Sequence, residues 1–429
     1  PDVTAAAGLN GEMQGMAAVA GDFDNDGLTD LFVTCVGPNH LFRNLGHGRF
    51  EDVTEESGLA GDENTWSTGA AWIDVDNDGR LDLVVLHYAR WPREVPLGQA
   101  FTIADIGRSY GAPAGFVSAF PTVYRNLGGG RFAEVPGGAG LRDVDPDARR
   151  PVAQPLAIAP VDADGDARLD LLVTYHLASP ALFLNQGDGT FRKAARAPDR
   201  RQEGAAAGFA ASSSLPFART DGADERFLAL RSTATRSAPL GARLGVATAD
   251  FDLNSRLEVF SGEGALEPNI NKFEEGRDFA RTPALLWNDG RTWLAAASPA
   301  FPPATARGIA VADFDGDGDL DVVIAQNNGS PVYLRNDQRL GHPWLRLHLT
   351  ATHSQPEAGG ARVEVHTPRR ILAQTVAPEL GFMAQSESTL TFGLGEDARV
   401  RRIVVRWPSG QVQEMKPEGL NRTLEVREP

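Results

Sequence analysis

The chain has 429 residues, 42% apolar and 23% charged, an ordinary globular composition that is long enough for two or three domains. Its formal charge of −16 argues against nucleic acid as a partner, because phosphate binding needs basic patches. One cysteine, Cys35, excludes an intramolecular disulfide and a cysteine-built zinc site, and no apolar run reaches the ~18 residues of a membrane-spanning helix.

The chain opens at "PDVTAAAGL" without a Met, which reads as a mature or trimmed product. An apolar strand then runs into "DFDNDGLTD" (22–30), the first of five acidic loops. The others are "DVDNDGRLD" (74–82), "DADGDARLD" (162–170), "DFDLNSRLE" (250–258) and "DFDGDGDLD" (313–321). Each is followed by an apolar run, and Cys35 in "LFVTCV" reads as a small buried hydrophobe at a strand end. A second element trails each loop: "LFRNLGHGRF", "VYRNLGGGRF", "LFLNQGDGTF", "LLWNDGRTW" and "VYLRND". Abundant glycine (46) and proline (28) favour turns and short strands over long helices. A repeat of strand, acidic loop, strand, connection, short strand, glycine turn and short strand is the signature of a β-propeller blade.

Two segments interrupt the regular spacing. A long insertion, about 87–120, separates the second and third strands of the second repeat, and loops of this length are often functional. Between Phe191 and Asp250 lies about one blade's worth of extra sequence, read as a degenerate blade without metal ligands. The expectation is therefore six blades, or seven if two have been merged. "PDVTAAAGL" mirrors "FEDVTEESGL" at the end of the first repeat, whereas the last repeat stops at "YLRND". This predicts that Val3 and Thr4 close the ring by pairing with the strand Val332 to Leu334. Residues 1–340 are expected to form the propeller, and 341–429, with short alternating runs and a "PSGQ" turn, a small all-β domain.

The acidic loops match the chemistry of calcium, a hard cation that takes six to eight oxygens from carboxylates and carbonyls. Side chains at positions 1, 3 and 5, the carbonyl at 7 and the carboxylate at 9 would surround one ion. These are Asp22, Asp24, Asp26, Leu28 and Asp30 in loop one, and Asp74, Asp76, Asp78, Arg80 and Asp82 in loop two. They are Asp162, Asp164, Asp166, Arg168 and Asp170 in loop three, and Asp313, Asp315, Asp317, Asp319 and Asp321 in loop five. Loop four offers Asp250, Asp252, Asn254, Arg256 and Glu258, one charge fewer, and Ser255 in place of glycine; it is expected to be the weakest site or empty. Four or five calcium sites follow, and five dications would bring the net charge to about −6. Magnesium, which demands octahedral geometry and keeps its waters, fits less well.

The five loops with their trailing elements resemble FG-GAP (VCBS-type) repeats, which build integrin-like propellers. The segments "WLRLHLTATHSQPEAGGARVEV", "GFMAQSESTLTFGLG" and "VVRWPSGQVQE" resemble the ASPIC/UnbV family of cartilage acidic proteins and their bacterial relatives. The resemblance implies structural calcium sites on one face and ligand binding at the opposite mouth. It also implies a secreted or periplasmic protein, expected to be a monomer, that recognises a protein, glycan or small molecule. The ASPIC/UnbV family also includes proteins encoded with enediyne and other natural-product pathways, so an enzyme using the mouth as its active site is the alternative. Strand-two exits supply the mouth candidates: His40, His87, Tyr88, Arg90, Trp91, Tyr175, His176, Asn327 and Asn328. Each of these is individually more often a packing residue than a ligand. The three histidines could in principle hold a transition metal. No Walker loop, H-E-x-x-H or nucleophile elbow is present, and "NGS" (328–330) and "NRT" (421–423) match only the short glycosylation pattern.

Overall fold

The structure, a computed structural model, describes residues 2–91, 116–144, 150–194, 242–338 and 340–429 apart from short gaps, with the pairs 102–103 and 107–108 and the strand 217–219. Among these residues the fold is all-β, built of small antiparallel sheets. Sheet one comprises Gly15–Gly21, Asp30–Cys35, His40–Asn44 and Phe50–Asp52. Sheet two comprises Thr65–Ile73, Asp82–Arg90, Thr122–Asn126 and Phe132–Glu134. Sheet three comprises Pro155–Val161, Asp170–Tyr175, Ala181–Asn185 and Phe191–Lys193. Sheet four comprises Ala242–Ala249, Glu258–Gly264, Ala284–Asn288 and Trp293–Ala297. Sheet five comprises Ala306–Ala312, Asp321–Gln326 and Val332–Asn336, with Phe217–Arg219 as its fourth strand.

Successive sheets pack face to face, and their first strands meet in chain order, as blades do in a propeller. Each junction has its own apolar layer. Phe23, Phe32, Trp72 and Phe132 fill the first, and Val84, Leu86, Val173 and Phe183 the second. Ala157, Leu172, Val246 and Val259 fill the third, and Phe260, Ile309 and Val322 the fourth. Thr65–Ile73 and Pro155–Val161 are accordingly buried on both faces, and PLAIAPV of the second runs apolar without strict alternation. The expected sixth blade falls almost entirely on 195–216 and 220–241, outside the described residues, and sheets three and four pack directly on one another.

The expected closure by the N-terminus is not what forms. Val3 is not in a strand, Thr4–Ala7 is a helical turn ended by Gly8 at φ 81°, and Val332–Asn336 pairs instead with Phe217–Arg219. The mirrored "EDVTEESGL" shows why. Only Glu51 and Asp52 belong to the strand there, and Thr54–Ser57 is already a helical turn, ended by Gly58 at φ 79°. The N-terminal copy, from Asp2 on, corresponds to the connector into a blade. A Cβ on Gly8 would lie 2.5 Å from the Phe50 carbonyl oxygen, so only glycine fits where that connector meets sheet one.

The C-terminal part folds around a separate core that includes Leu345, Leu347, Val363, Phe392, Ile403 and Trp407. One of its sheets orders Leu390–Gly393, Trp344–Thr350 and Arg422–Arg427, the last two parallel. The other orders Ile371–Thr375, Arg362–His366, Arg402–Arg406 and Val412–Met415.

Candidate metal loops and the opposite face

The five loops hold one register. The residue before position 1 pairs with position 9 in every sheet: Gly21 with Asp30, Ile73 with Asp82, Val161 with Asp170, Ala249 with Glu258, and Ala312 with Asp321. Carboxylates wind the loop between these ends by accepting from backbone N–H groups. The N–H at position 2 donates to the position-9 carboxylate in all five loops, at 2.9–3.2 Å. The N–H at position 7 donates to position 5 in all five: Leu28 to Asp26, Arg80 to Asp78, Arg168 to Asp166, Arg256 to Asn254 and Asp319 to Asp317. Tight turns put positions 4 and 6 at positive φ, as at Asn25 (58°) and Gly27 (86°) in loop one. In loop four Leu253 (58°) and Ser255 (76°) take the same conformation without glycine. Gly165 and Ala167, the expected irregular turn of loop three, lie outside the described residues.

Three carboxylates in each loop bring one oxygen apiece within 4.8 Å of one another. They are Asp22, Asp24 and Asp30; Asp74, Asp76 and Asp78; Asp162, Asp164 and Asp170; Asp250, Asp252 and Glu258; and Asp313, Asp315 and Asp317. Asp26, Asp166, Asp82, Asp321 and Asp319 stand outside these groups. Asp166 pairs with the Arg168 guanidinium, as Asp78 does with Arg80, and Asp319 accepts from the Gln338 amide at 2.7 Å.

Burial, reinforced by neighbouring carboxylates, raises the acids: Asp22 and Asp82 to about 6, Asp170 and Asp319 to about 7, and Asp30 to about 8. Asp250 and Glu258 are driven well above the usual range for the same reason, burial first. Asp24 Oδ1, Asp76 Oδ1 and Glu258 Oε1 are buried with no hydrogen-bond partner. Unpartnered buried carboxylate oxygens are costly, and a hard cation among them removes the cost. The donor set, oxygen only, fits calcium.

One positioning residue escaped the sequence reading. Asn44, Asn126, Asn185 and Asn336 end the third strand of their sheets, and each donates its backbone N–H to the position-9 carboxylate at 2.7–2.8 Å. Their amides cap backbone carbonyls, and those of Asn126 and Asn336 reach across to the Phe23 and Phe251 carbonyls of the neighbouring loop, at 2.8 and 2.9 Å. The signal was present, because an Asn occupies this place in all five trailing elements.

At the opposite end the strand-two residues part company. Tyr88 and His176, from adjacent sheets, meet at 3.3 Å, and Trp66 links Tyr88 to Trp91 and Phe116 in one aromatic cluster. His87 points the other way, buried between the Ser67 (3.0 Å) and Thr122 (3.1 Å) hydroxyls, and burial lowers it to about 4. Tyr175 lies in the core between sheets two and three. His40 is paired with Asp52 at 2.9 Å, Arg90 with Asp62 at 3.7 Å, and Asn327 and Asn328 are exposed. A cleft of about 1140 Å³ runs past Glu12, His40, Asp52, Glu56, Glu63 and Trp91. A second, of about 790 Å³, is lined by Asp62, Arg90, Phe120, Glu134 and Arg142.

Comparison with known proteins matches the FG-GAP-like repeat model at residues 5–85 and 276–324, and the ASPIC and UnbV model at residues 351–429. Cartilage acidic protein 1 of Xenopus tropicalis is 25% identical over 98% of this chain and 65% of its own length. The mouse protein of the same name is 28% identical over 43% of this chain and 28% of its own. The chain thus spans less than two thirds of the length of these relatives. A lectin from Agrocybe aegerita overlaps 77% of this chain and 82% of its own at 15% identity, with a TM-score of only 0.32, so the architecture stands on the strands described above. The chain carries FG-GAP-like repeats followed by an ASPIC/UnbV domain. Among the described residues no helix is long and apolar enough to cross a membrane.

Proposed function

We propose that this chain, FG-GAP-like repeats joined to an ASPIC/UnbV domain, is a calcium-stabilised β-propeller that serves outside the cytoplasm as an interaction module. The end opposite the acidic loops meets its partner. The carrying observation is the set of buried, unpartnered carboxylate oxygens at Asp24, Asp76 and Glu258, inside loops that share one register. The clefts beside His40 and Trp91 and beside Arg90 give the other end its binding surface. His87 borders the second cleft from beneath, and Tyr175 lies in the core. Counting calcium per chain after dialysis against micromolar free calcium tests the first half. Four or five equivalents are expected, and a chain that retains and titrates none refutes it. The second half is tested on immobilised glycan and extracellular-protein arrays. Signals of the wild type should be lost in Trp91→Ala and kept in Asp315→Asn, and the reverse pattern moves the binding site to the loop end.

A further inference from the structure

The C-terminal domain sits on two of the five loops and covers them unequally. On loop four the fit is close: a Cβ on Gly393 would fall 2.2 Å from Asp250 Oδ2 and 2.3 Å from the Leu253 Cα. The Gly395 N–H donates to the Leu253 carbonyl at 2.9 Å, and the His342 ring donates to the Asp252 carbonyl at 2.7 Å. Asp250 and Asp252 are buried under it, and Glu258 is buried as position 9 is in every loop, whereas each of the other four groups has at least one partly or fully exposed member. Glu258, a residue with no exposed surface, offers a carboxylate oxygen to this group. On loop five Trp344 packs on Gly318, where a Cβ would fall 2.2 Å from the indole, and the domain also holds Asp313. The Arg346 guanidinium bridges Asp313 and Glu387, the Glu387 carboxylate accepts from the Asp313 N–H at 3.2 Å, and Ser386 and Glu387 bond along the strand at Val311. Asp315 and Asp317 stay exposed.

We propose that the C-terminal domain seals loop four, so that a cation held there exchanges only when the domain lifts away, and that the Arg346 bridge to Asp313 and Glu387 is the clamp that keeps it down. The proposal rests on the reading of loop four as a calcium site. A cleft of about 120 Å³ at the junction, lined by Asp162, Asp250, Gln374, Glu387 and Thr389, has room for a few waters. Ions in the other loops leave through open solvent, but one in loop four has to wait for a local opening whose free energy sets its rate. Two neighbouring loops with the same spacing would therefore differ in exchange kinetics for a reason outside either loop.

The full chain, loaded with calcium-45 and passed into excess unlabelled calcium, tests this by the rate at which label is lost. In the wild type one equivalent should leave at least about tenfold more slowly than the rest, each tenfold corresponding to about 1.4 kcal/mol of opening. Glu258→Gln should abolish that slow equivalent. Arg346→Ala should merge it with the fast phase, Arg346→Lys should restore it in part, and Gly393→Ala should repeat the effect of Arg346→Ala should the arginine variant fail to fold. Absence of bound label in any loop overturns the calcium reading itself. Bound label leaving in a single phase refutes the seal, and a slow phase untouched by Arg346→Ala and Gly393→Ala refutes the clamp. A slow phase abolished by Asp74→Asn and not by Glu258→Gln places the occluded ion in loop two.

Discussion

Removing calcium should reverse the pH dependence of stability. In the metal-free fold Asp30 is raised to about 8, Asp170 and Asp319 to about 7, and Asp22 and Asp82 to about 6, burial being the main cause in each. An unfolded aspartate titrates near ~3.9, so between roughly pH 4 and pH 8 the metal-free native state binds more protons than the unfolded chain, and its stability falls as pH rises. The contribution of these acids is fully present below about pH 4 and is lost as pH passes each raised value. With calcium the same carboxylates are held ionised, and their contribution is present above about pH 4 and lost on acidification. Each site at a free calcium concentration about 100 times its dissociation constant adds about 2.7 kcal/mol, so four or five sites make a difference on the order of 10 kcal/mol at neutral pH. Melting temperatures measured at pH 5, 6, 7 and 8, in millimolar calcium and in excess chelator, test this. The gap between the two series should widen with pH and exceed about 10 °C at pH 8. Parallel series, or a gap widest at pH 5, would refute the reasoning.

Three further outcomes are expected. Asn126→Ala and Asn336→Ala each remove an amide that bridges neighbouring loops, and should each cost about 1–3 kcal/mol in urea unfolding; a change under about 0.5 kcal/mol makes the bridge incidental. His87→Ala strips a buried ring from two hydroxyl partners and should destabilise by about 2–3 kcal/mol while calcium content stays constant; unchanged stability would make the ring free to serve a partner. Cys35 is buried, with its thiol pushed up to about 11, so iodoacetamide at pH 8 should label it only after unfolding, and rapid native labelling refutes that burial.

What was legible in the sequence was local. The nine-residue spacing in "DFDNDGLTD" determines which carboxylates can face one point, and the pairing of Gly21 with Asp30 follows once the flanking runs are strands. The same period-two rule was available at the other end and was not used there. His87 and Tyr88 are adjacent in one strand, so they face opposite sides: His87 borders the second cleft and Tyr88 meets His176. The terminal asparagines were visible in every repeat, but their role is to join one sheet to the next, and spacing within a repeat carries no information about its neighbour. The N-terminal segment matched a strand-plus-connector motif, and the matching residues form the connector's helical turn. The seat of the C-terminal domain was invisible, because nothing in "GFMAQSESTLTFGLG" says that Glu387 and Gly393 meet Arg346 and Asp250 rather than solvent.

The acidity of the chain divides by location, and the two parts respond to different ions. Loop carboxylates come in groups of three with oxygens inside 4.8 Å, several of them buried, so monovalent salt at a Debye length of about 8 Å screens them poorly and a bound dication neutralises them well. Around the larger cleft at the opposite end, Glu12, Asp52, Glu55, Glu56 and Glu63 are exposed, and the described lining holds no Lys or Arg. Those charges are spread along a surface, lie outside the three-carboxylate groups, and are screened by ordinary salt. The C-terminal domain takes part of the loop end for itself, so on the proposed reading an approaching molecule would meet the face whose negative field calcium leaves in place. On the proposed reading, calcium would set whether the scaffold is folded, and ionic strength how strongly the opposite end attracts or repels what comes near.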